Sequence, residues 1–204
     1  MANFTKTTAG VLLAHTKITH PDILKGSSLD VSTALGIGIY IYHASIETNT
    51  PTAGALPELH IEANPLTTDE SWDVLPGGKF TFSGTAPVTE ALTDTEPSGE
   101  TVMAVAATTD FPLNSRVYIS DATADADGEW HRINTLVAAT SYTLKDPLVN
   151  GKTSADSMYS QAEHIYASYD LQGIHKLRCW YMNRPATGND TNIVVYYVLT
   201  TAIG

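Results

Sequence analysis

Residues 100–148 decide how this chain is read. The stretch runs E-T-V-M-A-V-A-A-T-T-D-F-P-L-N-S-R-V-Y-I-S-D from Glu100 to Asp121. It crosses A-T-A-D-A-D at 122–127 and continues G-E-W-H-R-I-N-T-L-V-A-A-T-S-Y-T-L-K-D-P-L to Leu148. Four short runs rich in β-branched and aromatic residues follow one another at nearly even spacing, each closed by turn-forming residues. That is the pattern of short antiparallel strands, and it predicts a compact β module.

Alternation also governs the flanks. In residues 35–43 (L-G-I-G-I-Y-I-Y-H), Leu35, Ile37, Ile39 and Ile41 fall on one face, and Gly36, Gly38, Tyr40 and Tyr42 on the other. Two glycines on one face predict a bulky group or a backbone lying close over them. Residues 59–63 put Leu59 and Ile61 inward and His60 and Glu62 outward. Residues 72–82 read as two strand fragments about a Pro76-Gly77-Gly78 turn. Residues 11–20 fit a strand or a turn of helix ended by Pro21. Beyond the module come Ile165/Ala167/Tyr169/Leu171, Leu177/Cys179/Tyr181 and Ile193/Val195/Tyr197/Leu199. Residues 183–192 read as a hairpin-type loop between the last two. No run supports a long amphipathic helix.

The expectation is therefore an all-β chain: a β-sandwich or jelly-roll-like domain from residues 10–84 and 158–204, with a small β-barrel-like module inserted at 85–157. The polar stretches 83–99 and 150–157 read as its linkers. Residues 1–9 form an N-terminal arm or an edge strand. Two sequential domains, with the last three strands joined to the middle module, fit the same pattern.

Composition narrows the function classes. Charged residues are only 16% of the chain, so the polar surface is mostly neutral; Tyr (10) outnumbers Phe (4), as suits half-solvated sheets. Lys+Arg 11 against Asp+Glu 22 gives a net charge of −11 with no basic stripe, which argues against nucleic-acid partners and anionic membranes. The single Cys179 excludes an internal disulfide and reads as a buried apolar strand residue. No apolar run approaches the roughly 18 residues of a spanning helix. The N-terminus has no charged-then-apolar signal pattern, so synthesis and folding in a cytoplasm without Sec export are expected.

Candidate sites are few. Asp121, Asp125, Asp127 and Glu129 cluster in one turn. The Asp125–Asp127–Gly128 spacing resembles part of a Ca²⁺ loop, but position one would be Thr123 and position twelve Asn134, so a solvated acidic turn is expected. His15, His20, His43, His60, His131, His164 and His175 show no zinc-type spacing and read as scattered surface or strand-edge residues. No G-x-S-x-G or phosphate-loop pattern occurs. The reading assigns no catalytic, cofactor-binding or metal-ligating residue, and the chain is not expected to be an enzyme. Trp72, Trp130 and Trp180 offer aromatic surface. Trp180 shares a strand face with Lys176 and Arg178, which makes Trp180, Arg178 and Lys176 the expected interface anchors, together with Phe4 on the arm.

The module pattern (T-T-D-F, then V-Y-I-S-D, then G-E-W-H-R-I, then Y-T-L-K-D-P-L) resembles tailed-bacteriophage structural proteins. The flanks S-W-D-V-L and H-K-L-R-C-W-Y-M-N-R are similar to the same group. The resemblance spans about residues 29–204. It implies a virion component, above all a head decoration (cement) protein, made in the host cytoplasm and bound to the major capsid protein or other virion proteins. It allows a homo-oligomer such as a trimer, and it transfers no binding residue. A tail, fibre or adaptor component, a carbohydrate-binding β-sandwich and a secreted hydrolase accessory domain are the competing classes.

Overall fold

The computed structural model describes residues 4–7, 9–18, 22–46, 56–82, 88–108, 111–124, 127–137, 140–160, 163–183 and 190–202. In chain order the strands are β1 (Phe4–Lys6), β2 (Gly10–Ile18), β3 (Asp22–Lys25), β4 (Leu29–Asp30), β5 (Gly36–Ser45), β6 (Glu58–Asn64), β7 (Asp73–Thr81) and β8 (Thr89–Ala91). They continue as β9 (Val102–Ala104), β10 (Arg116–Ile119), β11 (Glu129–Val137), β12 (Ser141–Leu144), β13 (Ser157–Ser160), β14 (Glu163–Asp170), β15 (Lys176–Asn183) and β16 (Thr191–Ala202). The fold is all-β, and the strand pairings whose register is defined among the described residues are antiparallel. The chain forms two compact units, one within Met1–His43, Asn49–Gly84 and Glu163–Gly204, the other within Ala44–Thr48 and Thr85–Ala162.

The first unit is a β-sandwich. One sheet has the order β1-β16-β5-β14, with β2 also on β16; the other has the order β3-β15-β6-β7, with β4 also on β15. The period-two runs supply both inner faces. Ile37, Ile39 and Ile41 of β5 and Ile193 and Val195 of β16 meet Leu59 and Ile61 of β6 and Leu177, Cys179 and Tyr181 of β15 in one core, all at 2% exposure or less. At about 25 cal/mol per Å², a fully buried Ile or Leu contributes about 1.5–3 kcal/mol. The Tyr166 ring lies over Gly38 on the outer face, at van der Waals distance from the position a Cβ would occupy.

The second unit is a six-stranded sheet, β8-β13-β10-β11-β12-β9. A bridge between Leu92 and Val105, just beyond β8 and β9, joins its two ends, and the Thr93 N–H donates to the Ala104 carbonyl beside it. The closure makes a small barrel filled by Met103, Val117, Ile119, Ile133, Tyr142 and Met158, each fully buried.

The structure decides between some of the expected alternatives and revises other expectations. Residues 11–18 belong to a strand, β2. Pro76-Gly77-Gly78 does not end a strand: β7 stays paired on both sides of it, Val74 with Glu62 and Lys79 with His60. Gly77 takes φ +70° in this bulge, and Pro76 is tolerated because β7 lies at the edge of its sheet. β15 and β16 are not a hairpin, since they lie in different sheets. The intervening 184–189 fall outside the described residues. The N-terminal segment is an edge strand, with Phe4, Thr5 and Lys6 opposite Ala202, Thr201 and Thr200 of β16.

The polar stretches read as linkers are largely barrel wall. β8, Leu92 and Glu96 come from the first of them, and buried Lys152, buried Asp156 and the start of β13 from the second. β13, whose residues 158–160 the sequence places in the sandwich, pairs with β10 and β8 in the barrel.

Candidate functional site

The outer face of the β15 sheet carries the densest pattern of side-chain chemistry. Because β15 alternates, Leu177, Cys179 and Tyr181 enter the core while Lys176, Arg178 and Trp180 stand on the opposite face. Backbone register sets their neighbours: Trp180 is opposite His60 and Lys25, Arg178 opposite Glu62, and Lys176 opposite Asn64. The His60 and Trp180 rings stack at 5.6 Å and 10°, and the Lys25 ammonium sits 5.5 Å from the Trp180 ring on the other side. Arg178 Nε donates to Glu62 Oε2 at 2.7 Å, and its guanidinium lies 4.1 Å from the Trp72 ring. Lys176 donates to Asp69 Oδ1 at 2.9 Å. Glu58 takes Lys79 at 3.0 Å and His60 Nε2 at 3.2 Å.

Trp180, Arg178 and Lys176 are thus brought together as expected from their spacing, within a ribbon where cations, rings and carboxylates alternate. Four of the chain's eleven basic residues (Lys25, Lys79, Lys176, Arg178) stand on it. Glu58 and Glu62, the counter-ions of Lys79 and Arg178, are buried at 9% and 8% exposure, so carboxylates that alternation alone would place in water are held in fixed geometry. Such a face offers guanidinium, ammonium and indole surface to a partner without first paying for ordering them. Phe4 does not join it: its backbone pairs with β16 in the other sheet, and its side chain lies outside the described residues.

The acidic turn of the barrel has a different constitution from the solvated turn expected. Lys152 is wholly buried there. Its Nζ lies 3.4 Å from Asp121 Oδ2 and 3.5 Å from Glu129 Oε1, and it donates to the Asp127 carbonyl. Burial pushes both carboxyls up, but closer groups outweigh it. The Thr123 hydroxyl, the Ala124 and Thr123 N–H groups and the Lys152 charge hold Asp121 at about 2. His131, the Val149 and Asn150 N–H groups and Lys152 hold Glu129 at about 2. Asp125 lies outside the described residues. An ammonium therefore stands where the Ca²⁺-loop reading would put a metal. Among the described residues no group of three His, Cys, Asp or Glu side chains is placed to hold a metal ion.

Two histidines expected at the surface are interior. His131 is 6% exposed and bonds Glu129. His43 is 1% exposed, stacks on Phe82 at 4.2 Å and meets the Tyr181 hydroxyl at 3.0 Å, which in turn meets Thr191 Oγ1 at 2.8 Å. Burial pulls His43 down to about 3, so it is neutral in the fold. Cys179 is buried at 0% exposure, as its strand position implied, and burial pushes its thiol up to about 12, which makes it unreactive at neutral pH. His20 lies outside the described residues, as does the side chain of His15. Sequence reasoning missed Lys152, which stands in a polar stretch, and Glu58 and Glu62, which alternation places outward; both contexts signal solvent rather than burial.

No family model matches the chain, and no curated protein matches it. A solved structure, the SPBc2 prophage-derived protein YomS, is similar over 98% of this chain and 97% of its own, at 12% identity and a TM-score of 0.34. A likeness at that level carries no argument about fold or function.

Proposed function

We propose that this chain is a non-enzymatic virion structural protein of a tailed bacteriophage, one that decorates or stabilises the capsid by protein–protein contact. The observation that carries the reading is the ribbon on the β15 sheet. Its Trp180 and Arg178 are the side-chain types that dominate interface energetics, and each is already immobilised by stacking or ion pairing. The sequence resemblance of the module to phage structural proteins supports the same reading. A decoration role asks for rigid β units and a fixed contact face, with the major capsid protein as partner and the virion as location.

Pelleting purified chain with empty heads assembled without it tests the proposal. The chain is expected in the pellet, with binding weakened roughly 30-fold or more by Trp180→Ala or Arg178→Ala if these anchors carry 2 kcal/mol or more each. Immuno-labelling confined to tails would reassign the protein to a tail, fibre or adaptor role. Glycan binding abolished by Trp180→Ala, with no head binding, would make it a carbohydrate-binding module instead.

A further inference from the structure

We infer that Asn150–Gly151 is a site of spontaneous deamidation, a slow chemical modification set beside the buried Lys152 of the barrel. Asn150 is the one asparagine of the chain that precedes glycine. The pair lies outside the strands, between β12 and β13, with Asn150 half-buried and Gly151 exposed. Its backbone is held on both sides. The Val149 and Asn150 N–H groups donate to Glu129 Oε2 and Oε1 at 2.8 and 2.7 Å. Lys152 exchanges both of its backbone hydrogen bonds with Glu96, at 2.7 and 2.8 Å. The Gly151 N–H between these clamps makes no hydrogen bond among the described residues.

That nitrogen is the nucleophile the reaction requires. It gives up its proton to hydroxide and attacks Asn150 Cγ. The Cγ–Nδ2 bond breaks, and ammonia leaves with a proton taken from water, closing a cyclic imide. Water then opens the ring at either carbonyl, giving aspartate or, by cleavage at the main-chain carbonyl, isoaspartate. The sum is asparagine and water to an acid and ammonia, with no other co-reactant. Glycine suits the second position because it has no Cβ to obstruct the approach. The leaving amide is weakly held, since Nδ2 reaches the Asp127 carbonyl at 3.5 Å. The other described asparagines lack this combination. Asn64 precedes proline, which has no N–H. The Ser115 N–H that follows Asn114 donates to the Pro112 carbonyl. Asn183 and Asn192 are buried, and Asn134 precedes β-branched Thr135 within β11.

The position decides the consequence. Isoaspartate routes the main chain through Cβ and Cγ, so it lengthens the backbone by a methylene between the Glu129 clamp and Lys152. Lys152 is the residue whose Nζ meets Asp121, Glu129 and the Asp127 carbonyl. The added length displaces either the bonds to Glu129 or the Lys152–Glu96 bridge. Aspartate, the other product, sets a carboxylate beside the Asp127 carbonyl in place of an amide donor. It also adds a negative charge to the turn that Lys152 compensates. Both products loosen the barrel where one ammonium serves two carboxylates.

Ageing the purified full chain in mildly alkaline buffer, followed by peptide mapping, tests the inference. The amide-to-acid mass gain is expected at Asn150, split between aspartate and isoaspartate, the latter confirmed by labelling with an isoaspartyl methyltransferase. The same chain unfolded in urea is expected to convert as well, which shows that the conditions suffice; an Asn150 that stays intact in the folded chain would overturn the inference. Gly151→Ala is the matched variant. A Cβ there comes no nearer than 3.4 Å, to the Glu96 carbonyl, which is ordinary van der Waals contact, so the fold accepts it. Conversion is expected to slow roughly tenfold or more; equal rates in the two chains would refute the route through the Gly151 nitrogen. After equal ageing, the β11 and β13 amides of the wild-type chain are expected to lose hydrogen-exchange protection that Gly151→Ala keeps. Fully converted wild type with its protection intact would overturn the link to Lys152.

Discussion

Replacing Lys152 by Met removes an ammonium from a site with no solvent access and leaves the Asp121 and Glu129 carboxylates facing each other. The Lys152 Nζ lies 3.4 Å and 3.5 Å from the two carboxylates, and the Asp127 carbonyl loses one of its donors, keeping the Asn150 Nδ2 at 3.5 Å. Removing one partner from a buried ion pair costs about 3–5 kcal/mol, because the remaining charge is buried and uncompensated. For a unit within Thr85–Ala162, a cost of about 3–5 kcal/mol lowers the melting temperature by roughly 10–40 °C. Hydrogen exchange followed by mass spectrometry locates the loss. Amides of β10, β11 and β13 should exchange rapidly, while those of β5, β6 and β15 in the sandwich keep their protection. The penalty should also shrink as pH falls towards the carboxyl range, since protonating either acid removes the repulsion, and Lys152→Met with Asp121→Asn and Glu129→Gln should recover most of the loss. A Lys152→Met penalty below about 1 kcal/mol, the level of an exposed pair, would refute the claim that this ammonium organises the turn. So would a penalty that is the same at pH 4.5 and pH 7.5.

Three further outcomes follow from the same structure. His43, held at about 3 against an ordinary 6.5, stabilises the fold fully above 6.5 and loses that contribution as pH falls towards 3. Urea titrations should show a fall of about 1.4 kcal/mol per pH unit in that window, flattened in His43→Gln. A Cβ at Gly128 would run into the Tyr118 hydroxyl and ring, so Gly128→Ala should destabilise the barrel by about 1–3 kcal/mol in denaturant titration. Addition of Ca²⁺ should leave the melting temperature of the wild-type chain unchanged, since Lys152 already supplies the positive charge of the acidic turn; an upward shift on calorimetry would show otherwise.

How much of this was legible depended on whether alternation carried the signal. Ile37, Ile39 and Ile41, or Leu177, Cys179 and Tyr181, declare an inner face because every second residue is apolar and buried to 2% or less. The Lys176–Arg178–Trp180 face follows from the same arithmetic, as does the exclusion of long helices. Which sheet a strand joins does not follow. β15 and β16 have equally good alternation and a turn-rich connection, yet pair with β6 and β5 respectively. A hairpin and an inter-sheet crossing look the same in composition. Pro76-Gly77-Gly78 is ambiguous for a related reason: the residues that end a strand in the interior of a sheet also build a bulge at its edge.

The barrel boundary was illegible because its acidic residues do backbone work. Glu90 Oε1 accepts the N–H groups of Ala106 and Ala107, Glu96 Oε1 that of Ala104, and Asp156 those of Ala122 and Thr153. These carboxylates, at 2–9% exposure, stand in for strand partners where the short β8 and β9 run out, and Lys152 compensates the charge of two more. A stretch such as T-E-A-L-T-D-T-E-P therefore looks like a solvated linker while forming barrel wall. The same placement changes what the net charge of −11 means. Glu90, Glu96, Asp121, Glu129 and Asp156 are committed inside the barrel, and Glu58 and Glu62 are committed to Lys79, His60 and Arg178 on the sandwich. These acids are structural, so the sign of the net charge is a poor guide to the partner. The proposal of protein–protein contact therefore rests on the geometry of the Trp180 ribbon and not on the net charge.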